Sequence, residues 1–252
     1  MNIFSTVFVD PFLNLLIGLR NILPGQDLGL AIIVVTLIVR VLLYPLSARQ
    51  IRAQKAMQDL QPRINEIREK HKDDREQQTK ALMEFYKKNQ VNPLSSCGPL
   101  LLQTAFIYPL FFVFRLSISG GDFGERLYPF VSHPTIPLDT HFLGIMDLAQ
   151  PHNIGLAIIT AVAQFFQSWM LIRQRKKSAT NKTPDPTAAT AKTMAYIFPL
   201  LTGYFAYSFP AGLALYWFAS TIFAILQQFI IMRTSASRPT LPHREAEEVV
   251  VK

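Results

Sequence analysis

The chain has 252 residues and a formal net charge of +8; half of its residues are apolar and only 17% are charged, below the roughly 25% of an ordinary soluble domain. Its single cysteine, Cys97, excludes an internal disulfide and a cysteine-based metal site. Apolar runs of about 18–20 residues alternate with polar segments, the pattern of a polytopic α-helical membrane protein, so the positive charge is not by itself a nucleic-acid signal.

Residues 1–27 lack a basic n-region and a small-residue cleavage site, so they do not read as a secretory signal. Phe8, Phe12, Leu15, Leu16 and Leu19 recur at helical spacing, interrupted by Asp10, Pro11, Asn14 and Arg20. That pattern predicts an amphipathic helix in the membrane interface rather than a span. The first span is 28–46, and it contains one charge, Arg40. An arginine inside a span is unfavourable by roughly 2.5–3.5 kcal/mol on insertion-based scales, and by default it marks a functional site facing protein or water. Arg40 is also only about 9 Å of helix rise from Leu46, near enough for its side chain to snorkel to the interface. Both readings stand on sequence.

Segment 47–98 changes character, with eleven Lys/Arg and seven Asp/Glu. Ile51, Met57, Leu60, Ile64 and Ile67 follow a broken 3–4 spacing, and Leu82, Phe85 and Tyr86 a shorter one. Lys72-Asp73-Asp74 supplies the turn between them. Two charged antiparallel helices are expected, a cytoplasmic coiled-coil hairpin standing off the membrane. Its first helix would be roughly 35 Å long, with Pro62 bending it or marking its start.

The second span is 99–118, with Gln103, Thr104, Tyr108 and Arg115. An extracytoplasmic loop covers 119–152 and the third span 154–172. A Thr/Ala/Pro-rich linker of mobile character follows over 173–192. The fourth and fifth spans, 194–209 and 212–232, meet at Pro210-Ala211-Gly212, and the tail is 233–252.

The loops differ sharply in Lys and Arg. Segments 47–98 and 173–192 hold eleven and six, whereas 1–27 and 119–152 hold one each. The positive-inside rule therefore puts the first pair in the cytoplasm. The expected location is a bacterial plasma membrane, crossed several times, with the N-terminus outside and the C-terminus in the cytoplasm.

Helical spacing places Thr36, Arg40 and Tyr44 on one face of the first span. Thr160, Gln164, Gln167 and Ser168 form a polar stripe on the third, and Trp217, Ser220, Thr221, Gln227 and Gln228 another on the fifth. Such groups either line a wet cavity or bond across helices, at about 0.6 kcal/mol each on average. No Asp or Glu lies within a span, so a proton relay has nothing to work with. The histidines show no metal-ligand spacing, and there is no phosphate loop or nucleophile–base pair. No enzyme activity, cofactor or metal is expected.

Four stretches, in this order and spacing, resemble the YidC/Oxa/Alb family of membrane protein insertases. They are GLAIIVVTLIVRVLLYPLSARQ at 29–50, LQPRINEIREKHKDD at 60–74, NPLSSCGPLLLQ at 92–103 and FPAGLALYWFASTIFAILQQ at 209–228. The resemblance covers about residues 5–235. It implies an all-α integral membrane protein, with five transmembrane helices around a hydrophilic groove open to the cytoplasm and to lipid. It also implies a membrane protein insertase and chaperone that takes nascent membrane proteins into the groove and releases their apolar segments into the bilayer. This would happen alone or with the Sec translocon. Arg40 would supply the groove's positive charge. Thr36, Gln103, Gln167 and Trp217 match polar or aromatic groove positions, and Gln164 and Ser220 are added from the stripes. The partners implied are nascent membrane proteins and the lipid bilayer. The hairpin would serve the Sec translocon, the ribosome or signal recognition particle components, with no sequence-specific nucleic-acid binding.

Three features depart from the family pattern. Thr104-Ala105 stands where a Met-Pro pair is usual. Neither the large extracytoplasmic domain of Gram-negative members nor the lipoprotein cysteine of many Gram-positive ones is seen. The short tail, with four Lys/Arg against three Glu, is unlike the long basic tails that bind ribosomes in some relatives. The alternative functions are a small-solute transporter or channel, suggested by the polar stripes and by Pro109 and Pro199, and a scaffold whose hairpin recruits a cytoplasmic partner.

Overall fold

The structure is a computed structural model; it describes residues 5–92, 107–112, 114–115, 123, 126–134, 138–178 and 186–235. The described part is built of helices and one small β-hairpin.

A π-helical turn, Ser5–Val9, leads into α1, Asp10–Ile22. Pro11 falls in the first turn of α1, where its missing N–H would have had no intrahelical partner. The helix packs against the next one, with Leu13, Leu16 and Ile17 fully buried. The burial pattern differs from the expected amphipathic one. Asp10, Asn14 and Arg20 are buried along with the apolar face, while Phe8 and Ile22 are exposed. The reason for Asp10 and Asn14 is tertiary, because residues 126–132 lie against this side of α1, whereas Arg20 donates to the Gln26 side chain at 3.4 Å. Asn14 donates to the carbonyls of Asp10 (2.7 Å) and Arg126 (2.8 Å), and accepts from the Tyr128 amide at 2.6 Å. Asn21 donates to the Ser132 carbonyl at 2.8 Å.

Helix α2 is Leu28–Leu42, capped by Asp27, whose Oδ1 accepts from the Leu30 amide at 2.9 Å. It stops four residues short of the expected end of the first span. Tyr44, Pro45 and Leu46 belong instead to α3, Tyr44–Asp59, whose axis is turned by 66°. The cause is local: Pro45 has no N–H to give to the Val41 carbonyl and its ring crowds that carbonyl, so the helix breaks at Leu43, with Pro45 in the first turn of α3. Helix α4 is Gln61–Lys70, with Pro62 in its first turn, so this proline marks a helix start. Helix α5, Arg75–Lys88, is capped by Asp74, which accepts from the amides of Glu76 and Gln77 at 3.0 Å each.

Helices α4 and α5 pack together across the turn at 71–74, closed by Gln78 donating to the Arg68 carbonyl at 2.8 Å. The single long first helix expected for the hairpin is therefore two helices. The first of them, α3, packs on the fifth-span helix rather than standing away from the bundle.

Residues 107–112 are helical, and most of the expected second span, Gln103 included, lies outside the described residues. Strands β1, His141–Phe142, and β2, Met146–Asp147, pair antiparallel, His141 opposite Asp147 and Phe142 opposite Met146. Helix α6, Ile154–Ser178, begins with Asn153 Oδ1 accepting from the Leu156 amide. Helix α7 is Pro186–Ser208 and α8 is Ala211–Ser235. Helical structure thus continues into both ends of the expected 173–192 linker. Helix α8 is the central element, packed on α2, α3, α6 and α7. Among the described residues, Ala211–Arg233 is the one helix long and apolar enough to cross a membrane unaided. Helices α2 and α3 pass the same test only as a bent pair, and Ile154–Met170 is a shorter apolar helix.

The end of the bundle beside the β-hairpin is stitched by main-chain contacts. The amides of Ala211 and Gly212 donate to the carbonyls of Gln150 and Leu148, both at 2.9 Å, and His152 donates to Tyr207 at 2.8 Å. The Phe142 ring covers Gly29 and the Phe114 ring covers Gly212, so closely that a Cβ at either glycine would overlap the ring.

Candidate functional site

Arg40 lies in the last turn of α2 and is half-buried. Its Nη2 donates to Ser220 Oγ on α8, and the Gln227 side chain donates to the Arg40 carbonyl at 3.3 Å. Ser220 is also hydrogen-bonded to Tyr216, one helical turn earlier on α8 and buried. Thr36, one turn before Arg40, is buried and donates to the Ile32 carbonyl at 2.6 Å. A space of about 10 Å³ remains between Thr36, Val39, Arg40, Tyr216 and, from α1, Phe12. This is at most the space that a single water needs, about 10–15 Å³ on the same measure.

Among the described residues no carboxylate pairs with Arg40, whose partners are a hydroxyl and neutral helices. A guanidinium carries five N–H donors, so one hydroxyl leaves it with unused donor capacity. Chemically, a fixed cation with spare donors, lined by Thr36, Tyr216, Val39 and Phe12, is able to receive an anion.

The other expected residues form a separate group. Gln164 Nε2 donates to Gln167 Oε1 at 3.2 Å, and Thr221 reaches Gln164 Oε1 at 3.5 Å across the α6–α8 contact. Thr160 is fully buried and bonds to the Leu156 carbonyl at 2.7 Å, with the Ala214 carbonyl on α8 at 3.5 Å. The polar stripe on α6 therefore serves, at least in Thr160 and Gln164, to hold α6 on α8. Trp217 is half-buried on α8. The structure brings Thr36, Arg40 and Ser220 together; it sets Gln164 and Gln167 apart from them.

Two participants were not among the site residues expected from sequence. Tyr216 stands at i−4 from Ser220, a spacing visible in the sequence, but an apolar-looking aromatic in a span carries no signal of its own. Phe12 reaches Arg40 from α1, a contact that only the fold creates.

The family model of the 60Kd inner membrane protein matches residues 20–238. This chain belongs to that family. A membrane protein insertase YidC of Oceanobacillus iheyensis is 34% identical over 233 residues, covering 91% of this chain and 83% of that protein. The corresponding protein of Fusobacterium nucleatum is 32% identical over 211 residues, covering 83% of this chain and 88% of its own. One from Francisella philomiragia is 35% identical over 206 residues, which is 81% of this chain and 32% of the relative. A crystal structure described as an active YidC insertase with its first transmembrane domain resolved aligns with a TM-score of 0.54 at 26% identity. The alignment covers 91% of this chain, which spans 46% of that longer one. Family membership makes the chain a membrane protein, and the four motif stretches named above lie largely or wholly inside the matched region.

Proposed function

We propose that the chain is a membrane protein insertase whose entry point for clients is the Arg40 site. One observation carries the reading. In a family named for inner membrane proteins, Arg40 is a half-buried cation held by a neutral hydroxyl, with no carboxylate partner among the described residues. A buried structural arginine is normally neutralised by a carboxylate, because an unpaired charge is costly to desolvate. An unpaired one is suited to a visiting anion.

The acidic outer segment of a nascent membrane protein moves beside Arg40, with Thr36, Ser220, Trp217 and Gln103 offering further polar contacts, and Gln164 and Gln167 joining only when they leave their own hydrogen bonds at the α6–α8 contact. Its apolar segment then partitions into hydrocarbon, which supplies the driving force at roughly 25 cal/mol per Å² of apolar surface removed from water. No nucleotide is required. Phe12 closes the space next to Arg40, so entry begins with that ring moving aside. In this reading the chain crosses the membrane five times with the Arg40 site toward the cytoplasm, as the Lys/Arg distribution of the loops supports, and the α4–α5 pair meets the Sec translocon, the ribosome or signal recognition particle components.

The test is insertion of a small single-span client into liposomes carrying the purified protein. The expected result is insertion above empty liposomes, slowed by Arg40→Ala more for a client with an acidic outer segment than for a neutral one. Equal insertion by empty liposomes refutes the reading.

A further inference from the structure

On the side of α8 away from α7, the bundle carries a cleft of about 510 Å³ whose walls are α2 and α6 and whose floor is α8. Leu156 and Leu215 lie buried at its base, while Leu37, Ile159, Ile222 and Leu226 form an exposed rim. Among the described residues the lining is apolar throughout except for Asn153. That side chain is already spent, its Oδ1 capping α6 and its Nδ2 directed at the Met146 sulfur at 2.7 Å. A water or polar ligand would therefore find no partner inside. None of the described residues assigned to the Arg40 site lines this cleft.

Shape and length narrow the occupant. On α8 the lining runs from Leu215 to Leu226, which at 1.5 Å per residue is about 16 Å. One leaflet of a bilayer has a hydrocarbon depth of about 15 Å, half of the roughly 30 Å core. The cleft starts beneath Phe142 and Met146 of the β-hairpin, whose tip residues Leu143 and Ile145 are exposed and apolar. Its rim residues Leu37, Ile159, Ile222 and Leu226 are apolar and exposed, as the surface that a membrane protein turns to lipid would be.

At roughly 30 Å³ per small group, its volume takes about one acyl chain. A second helix, about 10–12 Å across, does not fit. We propose that the cleft between α2, α6 and α8 binds one acyl chain of a membrane phospholipid from the hairpin-side leaflet, with Leu143 and Ile145 dipping into the same leaflet. This proposal needs only that the chain lies in a bilayer, so it stands or falls separately from the role of Arg40.

Native mass spectrometry of the detergent-solubilised full chain tests it, using phosphatidylglycerol and phosphatidylcholine with sixteen-carbon chains and an eight-carbon analogue. The expected outcome is one phospholipid retained at collision energies that strip the others, with either headgroup. Shortening the chains is expected to weaken retention at least tenfold, and Ala219→Phe, which fills the cleft from its floor, to abolish it. Should Ala219→Phe fail to fold, Ile222→Trp at the rim gives the same reading. Retention that follows the headgroup rather than the chain length overturns the proposal. So does retention unchanged in both cleft variants, or a dimer that those variants dissolve.

Discussion

Asp27 does two things at once, and separating them tests how the β-hairpin end of the bundle is held. Its Oδ1 caps α2 through the Leu30 amide at 2.9 Å, and its Oδ2 accepts from the Leu143 amide in the β-hairpin turn at 2.6 Å. An N-cap replaced by alanine costs about 1 kcal/mol. A hydrogen bond to a charged group contributes about 1.5–3 kcal/mol, which solvent exposure of this one brings down to about 1 kcal/mol. Asp27→Ala is thus expected to destabilise the protein by about 2 kcal/mol. For a chain of this size that lowers Tm by about 4–8 °C, read by thermal unfolding in detergent. Asp27→Ser keeps a capping oxygen but is too short to span to Leu143, so about half of the loss should return. Hydrogen exchange at the Leu143 amide should rise equally in both variants. The reasoning is refuted if Asp27→Ser unfolds with the wild type while its Leu143 amide stays protected.

Other outcomes follow from the same contacts. Asn14→Ala removes three hydrogen bonds and strands a buried amide and carbonyl. A loss of about 2–3 kcal/mol is expected, with protease cleavage appearing in 123–132. Gly212→Leu must displace the Phe114 ring, so a comparable loss is expected from overpacking, largely relieved by the second change Phe114→Ala. The pair Asp139–His141 gives the loop a pH dependence. Hydrogen bonding to Asp139 holds the His141 imidazole above its ordinary value of 6.5, and the bonds from His141 hold the Asp139 carboxyl below its own 3.8. A raised histidine contributes stability below 6.5 that is lost as pH rises through its folded value. Amide protection over 138–147 should therefore fall from pH 6 to pH 8 in the wild type and stay level in His141→Gln. Ser220→Ala leaves Arg40 without its hydroxyl partner, and should slow an acidic client far less than Arg40→Ala does, in the liposome assay.

Residues whose behaviour depends on near neighbours were legible. Asp74 and Asp27 stand just ahead of helices and cap them, and Lys72-Asp73-Asp74 lies in the turn between α4 and α5. Pro62 was expected to mark either a bend or a start, and it starts α4. Pro45 lies near the end of the expected first span, and apolar character alone does not show its consequence. A hydropathy run continues through Leu46, whereas the backbone must break ahead of Pro45 because an N–H is missing. In α1 the apolar spacing was read as helical, which the fold bears out, whereas the burial of Asp10, Asn14 and Arg20 was not anticipated. Asn14 and Asp10 look like a solvent face until residues 112 positions along the chain come to meet them.

Sequence by itself determined that the chain is helical and membrane-bound, which family it belongs to, and that Arg40 is anomalous. Each follows from composition, period or motif order, properties carried along the chain. The tertiary structure alone decided that Arg40 rests on Ser220 with Phe12 beside it, that Gln164 and Thr160 serve the α6–α8 contact, and that an apolar cleft of leaflet depth opens between α2 and α6. The reason is that a helix pattern states which residues share a face, not which face of which neighbour meets it. That choice is made by packing between segments some 180 residues apart, as between Arg40 and Ser220.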